Sequence, residues 1–267
     1  MDSKDMTTRM VLKMIGKENL SKLDIYVSGI VSRNFVQFES IEELADFFRN
    51  HLEAIDKKET TLEDIEAVRL YTGKTFSAIN SILKGTWDYD INGELTLERK
   101  EYYESIIKDI KSVFARMREL PNNIVTYRGS NIREFKNFGV SSLSDLVCLK
   151  GEYIYKSDFT STALLRDRSF FDNSKVEFGG TRDIEIQFLI PKESNDGIPI
   201  VGADMSYSLG QTEYLINSGS LIKIVDVILN EDESKAFIKA VYIPKKVYDR
   251  EKIEVDSYIE DSKKSYS

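Results

Sequence analysis

Histidine and cysteine each occur once in the 267 residues, tryptophan once and proline four times. His51 and Cys148 cannot supply the usual ligand set of a zinc centre, and a single cysteine makes no disulfide within the chain. A Ser-His-Asp or Cys-His mechanism would have to run through His51, which lies beside the apolar stripe of an amphipathic segment and reads as a boundary residue of that helix. Cys148, between Val147 and Leu149, reads as core, and Trp87 as a packing anchor. No metal is expected, and carboxylates, amides, hydroxyls and arginines are left to carry any chemistry. No stretch reaches the length of a membrane span, and the opening residues lack the uninterrupted apolar run of a signal peptide. A lone thiol suits a reducing compartment or a chain that crosses a membrane unfolded. Acidic side chains outnumber basic ones, 45 to 37, giving a formal net charge of −8. That balance disfavours nucleic acid and anionic membranes as partners, while a local basic cleft could still take phosphates.

What is present divides the chain in two. In residues 40 to 57 the apolar positions Ile41, Leu44, Ala45, Phe48, Leu52 and Ile55 recur at helical spacing behind Ser40, with Glu43 three residues on, a capping-box pattern. Thr61 with Asp64 opens a second helix to about Tyr71, Gly73 interrupts it, and residues 75 to 84 resume it. Residues 98 to 120 form the longest periodic segment, with Ile106, Ile110, Val113, Phe114 and Met117 on one face and Pro121 as the stop. Beyond it the period becomes that of strands: residues 124 to 127, 152 to 159, 183 to 190, 198 to 201, 213 to 216, 221 to 229 and 237 to 243. Helices followed by strands without alternation predict an α+β fold with mainly antiparallel or mixed sheets.

Three short elements in the strand half bear on chemistry. Tyr127-Arg128-Gly129 ends a strand, where the arginine can present its planar fork of donors and the glycine allows close approach of backbone and ligand. Phe159-Thr160-Ser161-Thr162-Ala163 brings a hydroxyl pair out of a sheet, able to orient a carboxylate or a ribose. Gln211-Thr212-Glu213 sets an amide and a carboxylate two apart on one strand, pointing the same way.

Together, and in this order, the elements resemble the Arg, Ser-Thr-Ser, Glu signature of the ADP-ribosyltransferase toxins, in particular the Rho-modifying exoenzymes and the catalytic components of actin-modifying binary toxins. Tyr71-Thr72-Gly73 followed by Ile79-Asn80-Ser81-Ile82-Leu83-Lys84-Gly85 is similar to that family's helical motif, and Leu120-Pro121-Asn122-Asn123 to the lead into its first strand. The resemblance implies an ADP-ribosyltransferase fold, two packed sheets around an NAD cleft, over residues 36 to 244, with a helical extension at 1 to 35 and a polar tail at 245 to 267. It implies transfer of ADP-ribose from NAD to a protein side chain, with release of nicotinamide through an oxocarbenium-like transition state.

By position, Glu213 would be the catalytic carboxylate, Ser161 the hydroxyl holding it, and Gln211 the determinant of the acceptor. Arg128, Gly129, Asn80, Lys84 and Thr162 would meet NAD. Arg166 or Arg168 would add positive charge from the loop over residues 164 to 180, with Phe170, Phe171 or Phe178 offering a ring to nicotinamide; Phe171 is taken as the contact. Tyr207 would read the partner protein. Gln at 211 suits an asparagine acceptor on a small GTPase of the Rho type. An arginine-specific transferase, an NAD glycohydrolase and an inactive binding descendant are the alternatives. The resemblance also implies a secreted or delivered effector acting in a host cytosol, with a separate translocation component as a possible partner. Two positions depart from the family pattern: Ala163 replaces its second serine, and Lys84 its arginine.

Overall fold

The computed structural model describes residues 6–54, 61–86, 89–90, 93–94, 96–169, 171, 181–201 and 212–248. The helical half contains α1 (Met6–Val31), α2 (Ile41–Ala54), α3 (Leu62–Leu70), α4 (Phe76–Lys84) and α5 (Leu97–Arg116), with a two-residue hairpin of β1 (Tyr89–Asp90) and β2 (Gly93–Glu94) before α5. The strands are β3 (Ile124–Ser130), β4 (Tyr153–Lys156), β5 (Thr160–Ala163), β6 (Ile184–Ile190), β7 (Gly197–Val201), β8 (Thr212–Ile216), β9 (Ser220–Leu229) and β10 (Ala236–Ile243), followed by the short α6 (Lys245–Tyr248).

Capping chemistry sets several helix starts. The Thr61 hydroxyl accepts the Asp64 N–H and the Asp64 carboxylate accepts the Thr61 N–H, the reciprocal pair expected from the sequence. At α2 only half of that arrangement forms: Ser40 accepts the Glu43 N–H, but the Glu43 carboxylate reaches back to the N–H of Glu39. Among the described side chains of the α2 stripe Leu44 and Phe48 are buried and Ala45 is exposed, while those of Leu52 and Ile55 lie outside the described residues. Gly73 has φ −89° and ψ −124°, which breaks the helix inside a wider turn over Tyr71–Thr75. α5 ends at Arg116, short of Pro121, because Met117 turns extended and buries its side chain. Gly16, at φ 77° and ψ 158°, kinks α1 where a side chain would be strained.

The strands hydrogen-bond in the order β4-β9-β10-β6-β3-β5-β8-β7, and every pairing is antiparallel except β10 with β6. The two halves of this sheet meet at a single register pair, Tyr127 with Ala163, between β3 and β5. Residues 152–159, read from sequence as one strand, are split: β4 pairs with β9 at one edge, and residues 157–159 carry the chain across to β5 in the other half. Alternation does not mark such a crossing, because the apolar pattern runs through it.

Three packed clusters hold these layers. Ile124, Ile186, Phe188, Ile224, Ile238 and Tyr242 face a layer that includes Phe38, Leu44, Phe48, Phe135 and Leu146. On the opposite face, Val125, Tyr127, Tyr153, Tyr155, Leu189 and Val241 pack with Val11, Leu23, Val27 and Ile30 of α1. The third cluster joins α3, α4 and α5 to Phe159, Ile198, Ile200 and Leu215. The first half of α1 also closes a sheet edge, since the Thr8 hydroxyl accepts the Tyr155 N–H of β4. Cys148 is exposed in the short turn Ser144–Leu149, which buries Leu146 and Leu149; its expected place in the core is corrected.

Gly197 shows how tightly the half bearing β7 and β8 is packed. A Cβ built there would stand 2.0 Å from the Tyr214 ring, which is itself 1 % exposed and cannot swing out. Gly197→Ala is therefore expected to cost about 1–3 kcal/mol or more, read as a lowered midpoint of thermal unfolding. Wild-type stability in that variant would show that the ring has room to move.

Candidate active site

The candidate site gathers where β3 and β5 separate. Continuing the Tyr127–Ala163 register would set Gly129 opposite Ser161. Instead the Gly129 N–H donates to the Ser169 carbonyl at 2.7 Å, and the Arg128 guanidinium takes the Ser161 carbonyl through Nη1 at 2.8 Å. A side chain thus uses the acceptor that a longer ladder would have taken. The strands splay beyond this point and the guanidinium fills the opening.

Ser161 and Glu213 are diagonal neighbours on β5 and β8: Ser161 is registered with Leu215 and Ala163 with Glu213, so all four share one face. The Ser161 hydroxyl donates to Glu213 Oε1. Glu213 is 9 % exposed. Burial pushes its carboxyl up to about 7, against the pull of the Ser161 hydrogen bond and the Arg128 charge. Near neutrality this group therefore changes charge. Thr162 faces the other way and donates to the Tyr214 carbonyl, fastening β5 to β8.

The helical half supplies the adjoining wall. Asn80 on α4 donates through Nδ2 to the Tyr71 hydroxyl at 3.1 Å, and the Tyr71 ring packs edge-on against Phe159. Burial and the Glu213 charge both raise the Tyr71 phenol far above its ordinary value, so it stays neutral. Lys84, at the end of α4, pairs with Asp158 at 2.8 Å.

Three residues not singled out by the sequence complete the arrangement. Glu134 receives the Lys156 ammonium at 2.7 Å, the Ser130 hydroxyl at 2.5 Å and the Arg128 Nε at 3.4 Å. Lys156 also lies 3.9 Å from Asp158. The charges therefore run Arg128, Glu134, Lys156, Asp158, Lys84 in alternating sign. Burial alone would raise the Glu134 carboxyl, but Lys156 and Arg128 hold it well below the ordinary value. For Arg128 the charges of Glu134 and Asp158 outweigh burial and raise the guanidinium further. Arg182, just ahead of β6, is lowered by burial and by the Arg128 charge. The sequence marks them weakly: Lys156 and Asp158 stand two apart, and Glu134 lies six residues after Arg128, in the first turn of the short helix Ile132–Phe138.

Other expected site residues are placed elsewhere or lie outside the described residues. Arg166 forks onto Glu185 at 2.8 and 3.0 Å; Glu185 is registered with Gly129, and the Arg166 guanidinium lies 6.0 Å from the Tyr127 ring, so the pair sits on the Tyr127 side of β3 with its charge already spent on Glu185. Arg168 is exposed beside Asp167, and the Phe171 ring packs on Phe237 at 5.4 Å. Gln211, Tyr207, Phe170, Phe178 and Trp87 lie outside the described residues, as does the side chain of His51. Among the described residues no three metal-ligating side chains cluster, and no helix is long and apolar enough to cross a membrane.

The arrangement amounts to a buried carboxylate with a dedicated hydroxyl, placed beside a guanidinium and a cationic margin. Such a site can stabilise developing positive charge at one point while holding an anionic group next to it.

Residues 45–245 match the sequence profile of the ADP-ribosyltransferase exoenzyme family. No curated protein matches the sequence. The fold is similar to that of an ADP-ribosyltransferase from Clostridium botulinum, with a TM-score of 0.59 at 18 % identity over 79 % of this chain and 99 % of that one. It is equally similar to a protein from S. aureus solved with NAD, with a TM-score of 0.59 at 19 % identity over 80 % and 100 %. The ADP-ribosylating toxin of a C. perfringens binary enterotoxin, solved with NADH, gives a TM-score of 0.58 at 23 % identity over 79 % of this chain and 50 % of that one.

Proposed function

We propose, for a chain that belongs to the ADP-ribosyltransferase exoenzyme family, that Glu213 is the carboxylate on which ADP-ribose transfer turns and that the acceptor is an asparagine side chain of a small GTPase. The enzyme is an NAD-dependent protein mono-ADP-ribosyltransferase of the toxin type. The observation that carries the site assignment is the burial of Glu213 with the Ser161 hydroxyl fixed on one oxygen and Arg128 beside it.

The chemistry asks little else of the protein. As the bond from nicotinamide to ribose breaks, the bonding electrons leave with the nicotinamide nitrogen, which becomes neutral, and positive charge develops on the ribose carbon and ring oxygen. No acid is needed for departure. Glu213 would accept a hydrogen bond from a ribose hydroxyl and place negative charge near that carbon, while Ser161 prevents the carboxylate from rotating. Arg128 would take the diphosphate with the donors not committed to Ser161 and Glu134, and Asn80 and Lys84 the adenosine end. The nucleophile then forms its bond to the ribose carbon and passes its proton to the Glu213 carboxylate or to water.

The amide of Gln211 cannot take a proton from a guanidinium but can pair with a carboxamide, which favours asparagine over arginine. Tyr207 would contact the target. This reading makes the protein a delivered effector acting in a host cytosol, with delivery by a translocation partner.

Labelled NAD incubated with cell lysate, followed by mapping of the modified side chain, tests the acceptor. Modification of an asparagine on a small GTPase by the wild type, and none by Glu213→Ala, is expected. Modification of arginine would overturn the role given to Gln211. Release of ADP-ribose to water alone, in the presence of target, would reduce the enzyme to a glycohydrolase.

A further inference from the structure

Arginine and a carboxylate placed side by side ordinarily close into a fork, with two parallel N–H to oxygen bonds. Arg128 and Glu134 do not. Glu134 turns Oε1 to Lys156 at 2.7 Å and Oε2 to Ser130 at 2.5 Å, and reaches Arg128 only through the long 3.4 Å contact with Nε. Meanwhile Arg128 Nη1 is spent on the Ser161 carbonyl at 2.8 Å. The side chain of Lys156 is 15 % exposed and that of Glu134 20 % exposed, so this competition is decided away from bulk water. Lys156 is anchored from its other side by Asp158, which also holds Lys84.

We propose that Lys156 is a positioning residue whose work is to hold Glu134 off Arg128, keeping the guanidinium open for the dinucleotide phosphates. Without Lys156 the guanidinium already touching Glu134 is its nearest cationic partner, and the carboxylate would swing into the Nε and Nη2 edge of Arg128. The enzyme would then block its own anion site. The inference rests on the reading of Arg128 as the phosphate-binding residue. It gives Lys156, two residues before Asp158 on the approach to the crossing segment, a function that neither its type nor its position states.

The test is a suppressor experiment read by KM for NAD in glycohydrolysis, by NAD affinity in calorimetry and by thermal unfolding. Lys156→Met is expected to raise KM about tenfold or more with kcat changed much less, since the loss falls on one charge-assisted contact in binding. Lys156→Arg, which keeps a cation on Glu134, should recover most of the affinity. The decisive comparison is on a Glu134→Gln background, where adding Lys156→Met is expected to change KM by less than about threefold, because the competing charge is gone. That comparison survives even if Lys156→Met alone fails to fold, since the paired variant removes both buried charges together. A KM raised to the same extent on both backgrounds would overturn the proposal by showing that Lys156 acts on NAD directly. An unchanged KM in Lys156→Met, with only a lower unfolding midpoint, would overturn it by showing a structural role. Arg128→Ala with undiminished NAD affinity would instead overturn the site reading beneath it.

Discussion

Glu213→Gln is expected to lower the rate of nicotinamide release by about a hundredfold or more, and at the same time to make the folded protein more stable above neutral pH. Both effects come from the same burial. The amide keeps the shape of the side chain and a bond to Ser161, but it removes the negative charge that would face the developing cation. For stability, the Glu213 carboxyl is raised from 4.5 to about 7 in the folded state by desolvation, more than the Ser161 bond and Arg128 offset. Its contribution to stability is therefore full below about 4.5 and is lost as pH rises through about 7. The span corresponds to roughly 3 kcal/mol. Glutamine carries no such dependence. At about pH 8 the variant should accordingly unfold several degrees above the wild type, whereas at about pH 4 the two should lie close together. Activity of the wild type should rise with pH through about 7 as the carboxylate forms, and the residual activity of the variant should not. Retention of activity would remove Glu213 from the chemistry. A variant less stable than the wild type in the alkaline range would contradict the burial argument.

Arg128→Lys is expected to be nearly as damaging as Arg128→Ala, although it keeps the charge. The guanidinium now performs two tasks at once: Nη1 fixes the Ser161 carbonyl, and Nε leans on Glu134. An ammonium is a single compact centre that cannot span both and still meet a phosphate. Loss of a hydrogen bond to a charged group is worth about 1.5–3 kcal/mol, so a loss of roughly ten- to over a hundredfold in kcat/KM is expected. The split is informative. Weaker phosphate binding appears in KM, while slackening of Ser161, and through it of Glu213, appears in kcat. A fall in both, measured by steady-state glycohydrolysis, is the expected result. A variant that saturates with NAD like the wild type and turns over normally would show that charge alone is enough.

The chemistry was more legible in the sequence than the architecture around it. Arg128, Ser161 and Glu213 could be found because each sits at a strand end in a short, ordered motif, and the structure places all three at one junction. The capping box at Thr61 was equally readable because it is a contact between near neighbours. What stayed hidden depends on chain segments far apart. Glu134 and Lys156 are separated by 22 positions and meet only because β3 and the approach to β5 converge. That residues 152–159 hold one strand, β4, and then a crossing to β5 in the other half of the sheet left no mark in the apolar pattern. The Cys148 placement failed because apolar neighbours in sequence say little inside a tight turn, where successive side chains point in different directions.

A sheet of eight strands that is joined across its middle by one register pair is not a rigid plate. Its two wings would swing freely about that seam if backbone bonds alone held them. Besides the core that spans both wings, side-chain links beside the seam hold them together: the Arg128 bond to the Ser161 carbonyl, and the salt links by which Lys156 and Asp158 tie β3's neighbour Glu134 to α4. Those same groups form the candidate binding wall. Whatever anion settles there acts as a keystone, and part of the free energy of its binding stiffens the whole arch on which the Glu213 carboxylate stands.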